Sequence, residues 1–299
     1  NNPGQATLYY NAGQSYHGNK NFDLAILNYE KAIKIDENFA EPIAKKLFLE
    51  RQMCDWRSID LSRTILPRLG IYTSPVKPYD TISLRDKPKE QLTRTSKYAL
   101  ANYNEKPIPL PVNPKSRPHK LRIGYFSANF QEHPVSYSFS RVLELHDKEK
   151  FQIFCYSFEN NPNSTMQNHI RENADFFKNV QDMSDNEMAL LARKDKLDIA
   201  IDLMGYTAKA RTKVFACKIA PIQINYLGYC GTMGAKFMDY IIADNTIIPK
   251  EFENCYAEKI IRLPDTYMPT DNTRKISDRI LSRQEMGLPE NSFVFCCFN

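Results

Sequence analysis

The sequence predicts an α/β protein in which an N-terminal α-helical segment precedes a lobe built on a parallel β-sheet. Apolar and small residues recur at helical spacing through the first 69 residues. Further along, short apolar runs of strand length alternate with amphipathic stretches, the pattern of strand–helix–strand units. Residues 70–120 are rich in proline, and we predict a linker and the domain boundary there.

Length and composition restrict the class of protein. The chain has 299 residues, 42% of them hydrophobic, which is enough for about two domains with buried cores. Its 40 basic and 35 acidic residues are dispersed apart from a basic cluster at Lys115 to Arg122, so we expect no nucleic-acid binding. No apolar run approaches the roughly 20 residues of a membrane span. Seven cysteines and five histidines without metal-ligand spacing predict a cytoplasmic protein with no metal site.

Ala6 to Phe39 has the residue spacing of one tetratricopeptide repeat. Gly13 and Ala25 are small enough for two helices to approach closely, and we expect Tyr16 and Tyr29 to fill the space beside them. One repeat cannot bury both of its faces. Because the sequence also starts without methionine, we expect a truncated array of repeats.

Two further helical stretches precede the lobe. Glu41 to Leu69 is predicted to continue as transitional helix, with Trp56 of the triplet Cys54-Asp55-Trp56 as a core anchor. Lys89 to Tyr103 is the one plausible helix within the proline-rich linker.

The lobe, predicted over residues 121–292, contains seven runs of strand length. They are Leu121–Ser127, Phe151–Phe158, Phe176–Val180, Leu197–Leu203, Ile222–Leu227, Met238–Ala243 and Glu258–Leu263. Arg283 to Gly287 is predicted as the end of a helix, and Phe293 to Phe298 as a fresh strand. We expect that strand to open a second α/β unit.

Glycine and polar residues follow several strands where parallel strands would share one edge. The segments are Asn129–His133, Gly205–Thr207, Gly228–Thr232, Asp244 and Pro264–Tyr267. Ligands of open α/β sheets bind beyond the carboxyl ends of the strands, and glycine allows the backbone to approach them closely. We therefore expect His133, Thr207 and Thr232 on a common rim. The alternative is that these glycines serve tight turns alone.

Individual side chains in these segments have two interpretations each. A helix that follows Thr207 and includes Arg211 could hold an anion at its N-terminus. His133 could transfer a proton or position a substrate, or it could cap the helix that follows. Asp202, near the end of its strand, is a weaker site candidate, whereas Asp198 near the start is predicted to be structural.

Four stretches of the lobe resemble one known family. They read LRIGYFSANFQEHPVSYS, DLMGYTAKAR, APIQINYLGYCGTMGAKFMDYIIAD and LPDTYMPTD. They are similar to the N-terminal catalytic half of the protein O-GlcNAc transferases and their SPINDLY-type relatives, and the upstream repeat agrees with that family's layout.

The resemblance implies a Rossmann-like lobe of a GT-B glycosyltransferase. It implies metal-independent, inverting transfer of GlcNAc from the donor substrate UDP-GlcNAc to Ser or Thr hydroxyls of proteins recruited by the repeats, without a cofactor. His133 matches the family's active-site histidine, as a sugar-side or substrate-positioning residue. Arg211 is predicted to bind substrate because of the anion hypothesis above, and the other predicted substrate-binding residues come from the resemblance. The full set is Gly205, Tyr206, Thr207, Arg211, Gly228, Tyr229, Gly231, Thr232, Pro264 and Asp265.

Some positions depart from the family's pattern. Tyr137 and Asp198 stand where animal members have histidine, which leaves open a SPINDLY-type O-fucosyltransferase using GDP-fucose. A non-catalytic tetratricopeptide interaction scaffold is a further alternative. The resemblance places the nucleotide-binding residues in a C-terminal lobe, of which only residues 293–299 are expected here. We therefore expect the 299-residue chain to be inactive without that lobe.

Overall fold

The structure is a computed structural model that describes residues 3–109 and 119–297. Residues 3–109 form the helical segment, and residues 119–297 form the lobe. The helices of the helical segment are α1 (Pro3–Gly18), α2 (Phe22–Ile35), α3 (Ala40–Gln52), α4 (Ile59–Ile65), α5 (Tyr79–Ile82) and α6 (Pro88–Asn102).

The first two helices pack closely, as the repeat spacing predicts. A Cβ atom on Gly13 would lie 2.5 Å from the ring of Tyr29 and 3.2 Å from the carbonyl oxygen of Ala25, so only glycine fits there without displacement. Tyr29 is fully buried, with the ring of Tyr10 at a centroid distance of 6.1 Å. The prediction for Tyr16 was wrong, because that side chain is 37% exposed.

The predicted long helix from Glu41 to Leu69 is interrupted. α3 ends at Gln52, and Cys54 adopts a left-handed conformation (φ 55°) that helical backbone cannot continue through. Trp56 follows this break and is 54% exposed, so the prediction of a core anchor was wrong. The Arg51 guanidinium stacks over its indole, 5.3 Å from the ring centroid, and holds it at the surface.

The proline-rich stretch is folded against its neighbours over residues 70–109, and we call these residues the wedge. Arg94 of α6 is buried and donates to the carbonyl oxygens of Leu69 at 2.7 Å and Leu66 at 2.8 Å. Ala99 of α6 packs into the core of the lobe. Pro88 stands in the first turn of α6, where its missing N–H is not needed. Three prolines of the predicted linker, Pro111, Pro114 and Pro118, lie outside the described residues.

The lobe has a seven-stranded, entirely parallel sheet in the order β3-β2-β1-β4-β5-β6-β7. Its strands are β1 (Leu121–Ser127), β2 (Phe151–Ser157), β3 (Phe176–Asn179), β4 (Ile199–Asp202), β5 (Ile222–Asn225), β6 (Tyr240–Ala243) and β7 (Lys259–Arg262). Its helices are α7 (Pro134–Glu144), α8 (Thr165–Asn173), α9 (Asp185–Lys194) and α10 (Thr212–Ala216), with a 3-10 helix at Lys250–Cys255. All seven predicted strands are present, mostly shorter than predicted.

Both faces of the sheet are covered, which explains why its strands are continuous apolar runs. On one face, Phe139 of α7 and Ile170 of α8 are fully buried against the strands. On the other face lie α9, α10 and α6, around a core that includes Phe215 and Tyr206. The helical segment is thus attached to the lobe through α6.

The predicted strand at Phe293–Phe298 is absent over residues 293–297, the part of it that the structure describes. Phe293 and Phe295 are 82% and 91% exposed, and no described strand pairs with this run. Apolar residues alone do not form a strand without a hydrogen-bonding neighbour. Arg283–Gly287 forms turns rather than a helix end. No helix among the described residues is long and apolar enough to cross a membrane.

Candidate active site

The chain order of the sheet reverses between β1 and β4. From β1 the chain proceeds to β2 and β3 on one side, and from β4 to β5, β6 and β7 on the other. Loops that leave adjacent strands toward opposite sides open a crevice, where ligands of such sheets bind. The loops after β1 and β4 hold His133 and Gly205-Tyr206-Thr207, so these residues border the crevice.

Met204 joins the two loops that border the crevice. Its sulfur accepts hydrogen bonds from the Ser127 hydroxyl at 3.3 Å, and from the Ala128 N–H and the Asn129 amide at 3.4 Å each. Its own N–H donates to Oδ1 of Asp202 at 2.9 Å. The floor of the crevice is therefore held in place from both strands.

His133 precedes α7 in an extended conformation (φ −149°, ψ 145°). Its Nδ1 accepts the Val135 N–H at 3.2 Å, so the ring caps the helix, as the alternative interpretation of the sequence predicted. Partial burial lowers the pKa of the imidazole. A neutral ring that accepts at Nδ1 carries its proton on Nε2. The nitrogen left for a substrate is thus a hydrogen-bond donor rather than a base.

Gly205 and Thr207 shape the loop after β4. Gly205 adopts φ 56° and lies against Tyr229, so a side chain there would clash as well as strain the backbone. The Thr207 hydroxyl donates to the carbonyl oxygen of Met204 at 2.8 Å. This local bond closes the turn and leaves Thr207 half-buried.

Tyr206 and Tyr229 support the crevice from below. They are 1% and 3% exposed, and their rings pack edge to face at a centroid distance of 5.5 Å. The Tyr206 hydroxyl donates to the carbonyl oxygen of Met233 at 2.7 Å. Tyr98 and Tyr103 of the wedge complete the aromatic cluster around Tyr206. The predicted substrate contacts of Tyr206 and Tyr229 are thereby restricted to their backbone atoms.

Asp202 and Asn225 form a buried polar pair below the crevice, at directly paired positions of β4 and β5. They are 2% and 0% exposed. Among the described residues, Oδ2 of Asp202 and Oδ1 of Asn225 have no hydrogen-bond partner. Burial raises the pKa of Asp202 to about 7, against the opposing effect of the Met204 and Gly205 N–H groups. Protonation of Asp202 would supply a donor beside an acceptor that lacks one.

Arg211 binds three partners within the lobe. Its guanidinium pairs with Asp185 at 2.7 Å and donates to the carbonyl oxygens of Val180 at 2.9 Å and Met183 at 2.5 Å. The helix that follows, α10, has five residues, with Arg211 at its N-cap. These partners are all structural, and the binding role of Arg211 stays a prediction.

Thr232 is the exception to the predicted common rim. It is 2% exposed, and its hydroxyl donates to Oε2 of Glu258 at 2.6 Å. Thr232 belongs to the connection between β5 and β6. Because its partner Glu258 directly precedes β7, Thr232 lies near the amino end of that strand. Gly231 packs against Ile82 and Tyr229 in the same connection. Thr232 and Gly231 therefore line a separate cavity of about 380 Å³ beside the wedge.

The remaining predicted residues lie at the carboxyl edge. Gly228, in the loop after β5, packs so closely on the loop after β4 that a Cβ atom would overlap the carbonyl oxygen of Leu203. Pro264 and Asp265 are exposed in the loop after β7. Asp244 fixes that loop, because its Oδ2 accepts the Tyr267 N–H at 2.8 Å. Hydrogen bonds from backbone N–H groups, first that of Ile247 and then that of Tyr267, lower the pKa of Asp244.

Lys77 is a residue at the crevice that the sequence analysis missed. Its Nζ donates to the carbonyl oxygen of Thr207 at 3.2 Å, although it belongs to the helical segment. Burial lowers the pKa of this ammonium. A few residues on, Asp80 pairs with Lys45 of α3 at 2.9 Å. In the sequence, Lys77 is marked only by the proline that follows it, and this pair does not indicate a function.

Two family models match the chain. One, described as Glycosyl transferase family 41, matches residues 100–278, and the other, described as Tetratricopeptide repeat, matches residues 6–39. The first covers more than half of the chain. The chain belongs to glycosyltransferase family 41.

Curated relatives of this family-41 chain include one named probable UDP-N-acetylglucosamine–peptide N-acetylglucosaminyltransferase SEC, from Arabidopsis thaliana. It is 33% identical over 263 residues, which cover 85% of this chain and 27% of the relative. A Caenorhabditis elegans protein named UDP-N-acetylglucosamine–peptide N-acetylglucosaminyltransferase is 32% identical over 170 residues, 56% of this chain and 15% of the relative. The probable transferase SPINDLY of Arabidopsis thaliana is 30% identical over 159 residues, 52% of this chain and 17% of the relative.

A solved structure shows the same fold. A mutant of the O-GlcNAc transferase of Thermobaculum terrenum superposes with a TM-score of 0.69 at 24% identity, covering 96% of this chain and 58% of that one. The family-41 chain spans about a quarter or less of the length of the curated relatives described above. Among residues 3–109 and 119–297, no group of three or more His, Cys, Asp or Glu side chains is placed to hold a metal ion.

Proposed function

We propose that this chain supplies the repeat end and the N-terminal catalytic lobe of a protein O-GlcNAc transferase. In the proposed reaction, GlcNAc passes from UDP-GlcNAc to Ser or Thr hydroxyls of a protein, with inversion at the sugar. One observation carries the proposal: the loops that hold His133 and Gly205–Thr207 follow the two strands at the switch point of the sheet in a family-41 lobe. The printed names of the relatives, which are UDP-GlcNAc–peptide transferases, support the choice of donor.

The proposed chemistry depends mainly on positioning. An inverting attack requires the acceptor oxygen opposite the leaving phosphate, and a preorganised crevice reduces the entropy that must be lost to reach this arrangement. We assign to His133 the donation of a hydrogen bond from Nε2 to the sugar or the acceptor. We assign to Gly205 and Gly228 the close packing on Tyr229 and Leu203 that shapes the loops beside the sugar. We assign no cofactor and no metal to the reaction.

The proposed partners follow from the two parts of the chain. The tetratricopeptide segment would recruit the acceptor polypeptide, and the lobe would face it at the crevice. We propose a cytoplasmic location, and we propose no nucleic-acid or membrane partner.

Transfer of radiolabelled GlcNAc from UDP-GlcNAc to a Ser/Thr-containing peptide tests the proposal, in the longest natural form of the polypeptide that carries these 299 residues. We expect His133→Ala to reduce transfer by about 100-fold or more, typical for a residue that contacts the reacting groups. His169→Ala is the matched control, because this surface histidine pairs with Glu144 on the outside of α7 and α8. Full transfer by the folded His133→Ala variant would refute the assignment. Undiminished transfer after chelation with EDTA is expected.

A second donor deserves a direct comparison, because Tyr137 stands one turn after His133. Its N–H donates to the His133 carbonyl oxygen at 3.0 Å, and its side chain is 38% exposed. The resemblance places a histidine of animal members at this position, and the tyrosine here leaves the donor sugar open. The alternative is SPINDLY-type transfer of fucose from GDP-fucose. Calorimetric titration of the longest natural form with UDP and GDP separates the two donors, and binding of neither would favour the interaction scaffold.

A further inference from the structure

The only tryptophan of the chain borders a groove on the helical segment, away from the crevice. The groove has a volume of about 490 Å³. Phe48 of α3, Trp56 and Leu84 contribute apolar surface, and Arg51, Arg63 and Arg85 contribute charge. No residue of the loops after β1, β4 or β5 lines it, so it is distinct from the proposed transfer site.

The groove is positively charged. Within the part of the chain that the structure describes, three arginines line it and no Asp or Glu does. Arg63 and Arg85 pair with Asp60 and Glu90, at 3.0 Å and 2.8 Å, which lie outside the lining.

Arg51 differs from the other two arginines in having neutral partners. It donates to the carbonyl oxygen of Asp55 at 3.1 Å and to the Ser62 hydroxyl at 3.0 Å, and among the described residues it has no carboxylate partner. Its charge in the groove is therefore not neutralised by an ion pair.

The indole of Trp56 is held in place although it is exposed. The two anchors of Arg51 fix its guanidinium over the ring at 5.3 Å, and the break after α3 places the indole outside the helical packing. An exposed indole does not contribute the hydrophobic free energy that its burial would add to folding. Trp and Arg dominate binding hot spots, and a side chain already fixed in position loses little entropy when a partner binds.

We propose that this groove docks an acidic polypeptide segment of a partner protein, in which carboxylates alternate with aliphatic side chains. The carboxylates would pair with the arginine forks, which match their geometry, and the aliphatic groups would cover Phe48, Trp56 and Leu84. The absence of acidic lining among the described residues selects a negatively charged occupant.

Trp56 makes the proposal directly measurable, because it is the only tryptophan among these 299 residues and their tryptophan fluorescence therefore reports this site. We expect a dodecapeptide of alternating glutamate and leucine to change the fluorescence saturably. The corresponding lysine–leucine peptide should bind at least about tenfold more weakly, because it meets the arginines with like charge. The affinity should fall as ionic strength rises from about 0.05 to about 0.5 M, as expected for exposed charges.

Variants locate the peptide on the groove. Arg63→Gln with Arg85→Gln should weaken glutamate–leucine binding by about threefold or more, within the range of exposed ion pairs. Arg57→Gln with Arg68→Gln removes the same net charge outside the lining and should leave the affinity unchanged.

Three results would overturn the proposal. One is the absence of any saturable change, and another is an equal loss of affinity in both double variants. The third is a different occupant. Equal competition by inorganic phosphate would indicate a phosphate site, and a fluorescence change with protein concentration alone, matched by sedimentation, would indicate a second copy of the chain.

Discussion

Replacement of Asp202 by asparagine tests the buried polar pair below the crevice. The carboxyl has a pKa of about 7 in the folded chain, against an ordinary value of 3.8, because burial disfavours its charged form. Between about pH 4 and about pH 7, the folded chain binds a proton at this site that the unfolded chain has released. The free energy of unfolding therefore decreases as the pH rises through this window, and the loss is complete above about pH 7.

The size of this effect follows from the two pKa values. A difference of about 3 pH units, at about 1.4 kcal/mol per unit, corresponds to about 4 kcal/mol as an upper limit. Asparagine keeps the oxygen that accepts the Met204 N–H and offers an N–H₂ donor toward Asn225, but it has no charge to bury. We expect Asp202→Asn to match the parent chain near pH 4.5 and to be more stable by a few kcal/mol at pH 8.

Urea denaturation at pH 4.5, 6 and 8 measures this difference directly. Asp198→Asn is the matched control in the stretch that enters the same strand, where the half-buried carboxylate accepts the Arg122 N–H at 2.8 Å. That variant keeps Asp202, so we expect it to keep the parent chain's loss of stability between pH 4.5 and pH 8. If Asp202→Asn destabilised the chain equally at every pH, the account of a buried, largely neutral carboxyl would be refuted.

Substitutions at three further positions test the glycine packing and the contact of Lys77 with Thr207. Gly228→Ala should destabilise the lobe by about 3 kcal/mol in thermal or urea unfolding, because its methyl group would overlap the Leu203 carbonyl; an unchanged midpoint would contradict this packing. Lys77→Met should increase amide hydrogen exchange around Thr207, and Lys77→Arg should restore protection. Unchanged exchange in Lys77→Met would show that the ammonium does not hold that loop. Gly13→Val should lower the thermal midpoint by several degrees, because the close approach of α1 and α2 leaves no room for it; full stability would show that the helices can separate.

The strands could be predicted from the sequence because both faces of the sheet are covered. Leu121–Ser127, for example, is an apolar run of strand length and became β1 with the same bounds. The parallel order followed from the helices between the strands, and with it the position of His133 at the carboxyl edge. Phe293 to Phe298 has a similar apolar composition but lacks a pairing strand where it is described, which composition cannot reveal.

Other features depended on contacts between distant residues and could not be predicted. Thr232 lies in a long connection, and nothing in its local sequence indicates that Glu258 binds it. Trp56 was expected in a core because tryptophan is large and apolar, whereas the break after α3 and the stacking of Arg51 hold it at the surface. Lys77 reaches Thr207 across 130 residues of sequence.

A crystal structure of the longest natural form with UDP-GlcNAc bound tests the central claim most directly. We expect the sugar between the loops after β1 and β4, with Nε2 of His133 donating a hydrogen bond at about 3 Å to the sugar or its acceptor. A sugar seated in the cavity beside Thr232, or away from the carboxyl edge of the sheet, would contradict the account.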